Sequence, residues 1–341
     1  MAGRRSRPVT LSDVAALAGV SVSTASKALN GREEVAAATR DRVLAAADKL
    51  SFQPAMVARG QSSGRTRTVG LISDEVAGRP TFPILLGVEN ALSDKEMSVL
   101  LCDTQSDPTR RQHYIRTLLA HPVDGFIVVG DGSNRRASLT RHIPVPVVYV
   151  YGESTDHRDL SVLADDTDGG RLATEHLVSL HRKHIAHVTG PPNNRAARDR
   201  AAALRTVLDE AWLALVGEPL FGEWSQTWGR HAAKMLATTY PNLDAIFCGN
   251  DQIAAGVAQA LQNLGALIPD DIAIVGYDNW EVFAADCQPP LTTVDLNLQQ
   301  LGTTAVTELL AALGGRQRHG VIRQPCRLVV RESTGPPPSF E

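Results

Sequence analysis

Residues 9–30 read VTLSDVAALAGVSVSTASKALN, with small and apolar residues at three- and four-residue spacings on either side of a glycine. This pattern predicts two short helices joined at Gly19. Thr10 followed by Asp13 forms a capping-box-like start for the first helix, and Ser21 is placed to cap the second. Val14 and Leu17 share one face of the first helix, and Ala25, Ala28 and Leu29 turn inward from the second. Val22, Ser23 and Lys27 are left facing outward. A third helix is expected over 37–50, where Val43, Leu44, Ala47 and Leu50 recur at helical spacing, and Phe52 then closes a small three-helix core.

Beyond Thr68 the pattern changes to short apolar runs alternating with helical segments. Strands buried on both faces are predicted at 69–72, 99–102, 125–129, 145–151, 185–188, 245–248, 272–277 and 327–330. Helices are predicted between them near 83–95, 109–120, 169–180, 196–211, 227–238, 250–264 and 297–313. The alternation implies two doubly wound units, each with a parallel sheet. Between the helical head and this α/β part lies AMVARGQSSGRTRT, whose Gly, Ser and Arg content reads as a linker with one short helical option at 55–59.

Charge divides the chain in the same place. Residues 1–67 carry eleven Lys/Arg against five Asp/Glu, a net +6, whereas the other 274 carry 23 against 32, a net −9. A basic head on an acidic body confines attraction for phosphates to one end. The outward face of the second helix offers hydroxyls and a cation but no acid, which suits a DNA groove. No apolar run is long enough to span a membrane. MAGRRSRPVT lacks the apolar stretch of a signal peptide, so a cytoplasmic location is expected. Cys102, Cys248, Cys287 and Cys326 form no CxxC pair and signal neither zinc nor a disulfide framework.

The spacing DVA-x-x-AGVS-x-x-T-x-S-x-x-LN, met without gaps by residues 13–30, resembles the headpiece of the LacI/GalR transcriptional regulators. The resemblance implies a helix-turn-helix headpiece at 8–53, a hinge at 54–67 and a type I periplasmic-binding-protein-like core at 68–335. In that core an N-subdomain would take 68–163 plus 293–322 and a C-subdomain 164–292 plus 323–335, leaving 336–341 as a tail. GPPPSFE in that tail carries no leucine heptads. The resemblance further implies a homodimer, usually a repressor, bound to a pseudo-palindromic double-stranded operator. Val22, Ser23 and Lys27 would then read base edges, and Ser21, Thr24, Ser26, Asn30 and Thr39 would hold phosphates. Lys27 stands where Arg is commoner and lacks its bidentate geometry. At the hinge, Ala58 and Arg59 fit the family pattern after Pro54, while Ala55 replaces Asn and Gln61 replaces the apolar Leu that opens a base step.

Open α/β sheets bind ligands beyond the carboxyl ends of their strands. Asp168, Arg200, Trp224, Asn250 and Asp278 follow predicted strands or open predicted helices there, and by resemblance they hold an effector. Carboxylates and an amide can fork onto ring hydroxyls while the indole covers the apolar ring face. A small carbohydrate or polyol is the expected effector, with a purine-like metabolite as the alternative. Val145, Tyr149 and Leu298 are candidates for its apolar side, although each also suits core packing, and Phe82 is the guess for the N-terminal lobe. An enzyme is not expected: no GxxxxGK[ST], GxSxG or strand-following GxGxxG occurs. No cofactor or metal is expected either, because His176, His181, His184 and His187 divide between a helix and a strand without an acid or Cys spaced to join them.

Overall fold

A computed structural model of the chain describes residues 9–29, 32, 34–52, 65–76, 78–121, 123–132 and 134–335. It divides into two compact units, 1–66 and 67–341.

The first unit holds α1 (Leu11–Ala18), α2 (Val22–Leu29) and α3 (Ala37–Lys49). Both the backbone N–H and the hydroxyl of Thr10 donate to the Asp13 carboxylate, at 2.8 and 2.7 Å, which ties down the start of α1. Gly19 ends the helix at φ 66°, a left-handed conformation that glycine adopts without a Cβ clash. Ser21 Oγ then accepts the Thr24 N–H at 3.1 Å and caps α2. The core is made of small residues: Val14, Ala15, Ala25, Ala28, Val43 and Ala47 are buried, with Leu50 and Phe52 packed against them. Leu17 and Leu44, both expected inside, are 47% and 43% exposed. Ala18 and Ala46 take the interior positions, because helices that cross at alanines leave no room for Leu between them.

In the second unit one sheet has the order β13-β7-β5-β3-β1-β2, all parallel. Its strands are β1 (Thr68–Ser73), β2 (Ser98–Asp103), β3 (Gly125–Val129), β5 (Val147–Val150), β7 (Leu160–Ala164) and β13 (Gly320–Gln324). A short ribbon of β4 (Arg135–Arg136) and β6 (Glu153–Ser154) stands beside it. Helices α4 (Thr81–Ser93), α5 (Pro108–Ala120) and α11 (Leu298–Leu313) belong to this N-lobe. The second sheet, order β14-β12-β11-β10-β8-β9, forms the C-lobe. It contains β8 (Ile185–Thr189), β9 (Leu220–Phe221), β10 (Ala245–Cys248), β11 (Ala273–Tyr277), β12 (Thr292–Asp295) and β14 (Arg327–Val329). Only β14 runs antiparallel to its neighbour. Helices α6 (Asp166–Ser179), α7 (Arg195–Glu210), α8 (Gln226–Thr239), α9 (Asp251–Asn263) and the short α10 (Glu281–Ala284) complete the lobe.

Strands β3, β5, β8, β10 and β11 are buried along their whole length, which is why they read as mainly apolar runs, whereas β7 is buried too but is interrupted by Ser161 and was not predicted. The chain passes between lobes after β7, after β12 and between β13 and β14. Residues 293–322, expected whole in the N-lobe, therefore divide, with β12 in the C-lobe sheet. Both sheets present their carboxyl ends to the cleft between the lobes. Among the described residues no helix is long and apolar enough to cross a membrane.

Candidate functional site

Two surfaces carry chemistry, and the first lies on the headpiece. Val22, Ser23 and Lys27 are exposed on α2, with Val22 at 47%. Thr24, Ser26 and Thr39 are half-buried, and Thr24 shares its hydroxyl with that of Ser21 at 2.8 Å. Asn30, Ala58, Arg59 and Gln61 lie outside the described residues. The sequence pattern showed no acid on this face, but the fold brings one there. Glu34, from the connection to α3, meets Lys27 Nζ at 2.6 Å. The hydrogen bond and charge of Lys27 hold the Glu34 carboxyl below its ordinary value.

The second surface is the interlobe cleft, a cavity of about 420 Å³. Glu75, Arg79, Asp131 and Tyr151 line it from the N-lobe, and Arg200, Trp224, Asn250, Asp278 and Trp280 from the C-lobe. Four of the five expected effector residues thus share one cavity. Asn250 closes β10 and caps α9 by accepting the Ile253 N–H at 2.8 Å. Trp224 lies over the end of β8 because Gly190 has no Cβ, which would fall 2.1 Å from the indole.

Arg200 is buried at 3% exposure and held on three sides. Its Nε and Nη2 donate to Asp166 Oδ1 at 3.0 and 2.7 Å, and its Nη1 donates to the Gly249 carbonyl at 2.6 Å. The guanidinium also lies 3.6 Å from the centroid of the Tyr277 ring. Burial opposes the charge, yet Asp166 outweighs it and the pKa is raised. Arg200 is therefore a wall of the cavity already satisfied from behind.

Asp168 does not line the cavity. Its carboxylate meets Arg171 at 2.8 Å and accepts the Cys326 N–H at 3.1 Å. The reason is helical phase: α6 starts at Asp166, three residues earlier than expected, and two residues turn a side chain by roughly 200°. Asp166, which the sequence reading passed over, is the acid that reaches Arg200. Val145, Tyr149 and Leu298 pack in the core, with the Tyr149 hydroxyl accepting the Leu139 N–H at 2.7 Å. Phe82 is 62% exposed on α4 and is not in the cavity lining.

Asp278 follows β11 at φ 112°, a strained conformation for a residue with a Cβ. Its carboxylate meets Arg79 Nη2 of the opposite lobe at 2.7 Å. Burial raises its pKa, and Arg79 works against that rise. Asp251 lies behind it, accepting the Thr293 hydroxyl at 2.6 Å and the Trp280 N–H at 2.7 Å. Burial and the neighbouring Asp278 push the Asp251 carboxyl up to about 7. A second bridge joins the lobes away from these groups, where the Arg195 guanidinium pairs with Glu153 and the Arg195 backbone N–H donates to Asn134 Oδ1 at 2.9 Å.

The histidines are dispersed: His187 Nδ1 donates to the Phe247 carbonyl at 2.8 Å, and His176 meets Thr334 at 2.9 Å. Among the described residues no three His, Cys, Asp or Glu side chains are grouped to hold a metal ion.

Comparison with known proteins follows the same division of the chain. Residues 10–55 match the model of bacterial regulatory proteins of the lacI family, and 174–334 match a periplasmic binding protein-like domain. The HTH-type transcriptional repressor PurR of Aliivibrio salmonicida (strain LFI1238) is 32% identical over 306 residues, covering 88% of this chain and 91% of the relative. The ribose operon repressor of Escherichia coli (strain K12) is also 32% identical, over 309 residues, with 88% and 92% covered. Among solved structures, the Lac repressor dimer bound to operator and the anti-inducer ONPF superposes with a TM-score of 0.82 at 28% identity, covering 97% of this chain and all of that one. The complex of the regulator CelR with cellobiose gives 0.66 at 28%, covering 96% and all of that chain. With a helix-turn-helix head, a two-lobed core and relatives matched over nearly their full length, the chain belongs to the LacI family of transcriptional regulators.

Proposed function

We propose that this DNA-binding repressor answers to a small carbohydrate or polyol held in the interlobe cleft. The observation that carries the reading is the make-up of one wall, where the Trp224 indole stands among Arg200, Asn250 and Asp278. An aromatic face covers the C–H side of a sugar ring while the polar groups take its hydroxyls. A cavity of about 420 Å³ falls in the range of small-ligand sites. The E. coli relative is a ribose operon repressor and CelR binds cellobiose in its structure, which supports the same class. A planar nucleobase is the second reading, favoured by Tyr151 and Trp280, which add two further aromatic surfaces to the cavity.

The working unit is a homodimer in the cytoplasm, whose paired headpieces read the two half-sites of a pseudo-palindrome. Exposed Phe82 and Leu86 on α4 and Leu100 and Leu101 on the edge strand β2 give a second copy an apolar surface to cover. Val22, Ser23 and Lys27 read bases, and Ser21, Thr24, Ser26, Asn30 and Thr39 position the headpiece on phosphates. Ala58 and Arg59 belong to the hinge between the headpiece and the core. Ligand closure of the cleft changes the relation of the two N-lobes and hence operator affinity, a coupling of roughly 1–3 kcal/mol. Thermal-shift screening against pentoses, hexoses, disaccharides and purine bases tests this. A sugar or polyol that raises the melting temperature and changes duplex affinity supports the first reading, a base the second. If no compound does both, the effector reading fails.

A further inference from the structure

The cleft is bridged by the chain's own side chains. Arg79, just before α4 on the N-lobe, crosses to the C-lobe and grips one residue twice: Nη2 meets Asp278 Oδ1 at 2.7 Å and Nη1 donates to the Asp278 carbonyl at 3.3 Å. Both side chains are withdrawn from water, at 15% and 7% exposure. The guanidinium also stands 5.8 Å from the centroid of the Trp280 ring. Asp278 has no freedom to move away, because its positive φ and its N–H bond to the Val294 carbonyl at 2.7 Å fix the backbone.

A buried carboxylate needs a partner, and Arg79 supplies it. The same carboxylate is the one that the proposed effector's hydroxyls must reach. We infer that Arg79 is an internal competitor for the effector's seat: it ties the two lobes together through Asp278 and must be displaced by any ligand that takes that carboxylate. This rests on the reading of the cleft as the effector site.

A ligand that replaces a guanidinium on Asp278 has to present hydrogen-bond donors, so hydroxyl or amino groups fit and carboxylate or phosphate groups do not. Arg200 offers an anion little, since Asp166 and the Gly249 carbonyl already occupy it. The displaced Arg79 has acceptors on its own lobe, because the carboxylates of Glu75 and Asp131 stand in the lining of the same cavity. Asp278 thus selects donors over anions, and Arg79 is the donor that a ligand has to outcompete there.

The test uses the full-length protein with Trp212→Phe as background, since Trp212 is 95% exposed and would dominate the signal. Acrylamide quenching of the three remaining indoles, with no ligand present, reads access to Trp224 and Trp280 above a constant contribution from Trp228, which lies outside the cavity lining. Arg79→Gln is expected to raise their quenching severalfold. Sodium chloride at about 1 M is expected to leave parent and variant alike little changed, because a pair in contact at 2.7 Å and withdrawn from water lies inside the screening length of roughly 3 Å. Arg79→Lys, which keeps the charge, should fall between them and show that position 79 tolerates substitution. Equal quenching in parent and Arg79→Gln overturns the inference. In a second arm D-ribose and D-glucose are the probes. A sugar that binds the parent should bind Arg79→Gln about fivefold more tightly, because the closed, incompetent population is removed, and weaker binding overturns the inference. If neither sugar binds, the choice of effector is at fault, and the ligand-free arm still decides the role of Arg79.

Discussion

Lys27 Nζ and the Glu34 carboxylate stand 2.6 Å apart on the exposed face of the headpiece, so the cation of α2 is paired within the headpiece itself. Phosphates alone must compete with Glu34 for that cation, whereas a guanine beside a cytosine offers an acceptor to Lys27 and an amino group to Glu34. Glu34→Gln is therefore expected to tighten binding to random-sequence duplex and to steepen the slope of log affinity against log salt by about one ion. Fluorescence anisotropy over a salt series measures both, and an unchanged slope would show that Lys27 stays away from phosphates even when free.

Lys27→Ala should lose about 1–3 kcal/mol on the preferred operator and relax one base position. Uniform weakening across all sequences would make Lys27 a phosphate contact instead.

Arg200 and Asp166, each 3% exposed at the side chain, form a buried pair in which neither partner can be removed alone without stranding a charge. Arg200→Ala should destabilise the core by about 3–5 kcal/mol, as Asp166→Ala should, while the double substitution Arg200→Met with Asp166→Leu recovers much of the loss. Urea unfolding followed by circular dichroism gives the comparison. Independent, additive losses would remove the pair from the architecture of the cleft.

His187 is fully buried, and burial lowers its pKa to about 4 although the Phe247 carbonyl favours the proton. The unfolded chain takes up a proton near the ordinary 6.5, so between that value and about 4 the unfolded state binds more protons. Stability should fall as pH falls through that window, by at most about 1.4 kcal/mol per pH unit from this group. Asp251, raised to about 7, acts in the opposite direction, with stability lost as pH rises towards 7. Comparing His187→Gln with the parent isolates the first effect: as pH drops from about 6.5 to 4.5 its urea midpoint should fall less, or rise more, than that of the parent. Parallel profiles would mean that His187 does not titrate differently on unfolding.

Elements with strong local signals were legible in the sequence. The Thr10–Asp13 start of α1, the Gly19 stop and the Ser21 cap depend on residues within three positions of each other. Strands such as β3 and β11 carry enough consecutive apolar residues to be read without context. By contrast β13, GVIRQ, alternates half-buried and exposed positions at a sheet edge, and β12, TTVD, is short and polar because Thr292 and Thr293 bond to Arg331 and Asp251 rather than packing apolar surface. The cleft was legible where a polar residue ends a strand, as with Asn250 and Asp278. It was not legible where the relation is long-range: Arg79 meets Asp278 across 199 positions, and nothing local marks either as the other's partner. Asp166 was missed for a smaller reason, a helix start misplaced by one turn within a run of acids.

Selection of bound duplexes from a random-sequence library by the full-length protein tests the regulator reading most directly. A pseudo-palindromic sequence of two half-sites should be enriched, its affinity falling steeply as salt rises. Recovery of unrelated sequences bound with equal strength, or of no duplex at low salt, would contradict it.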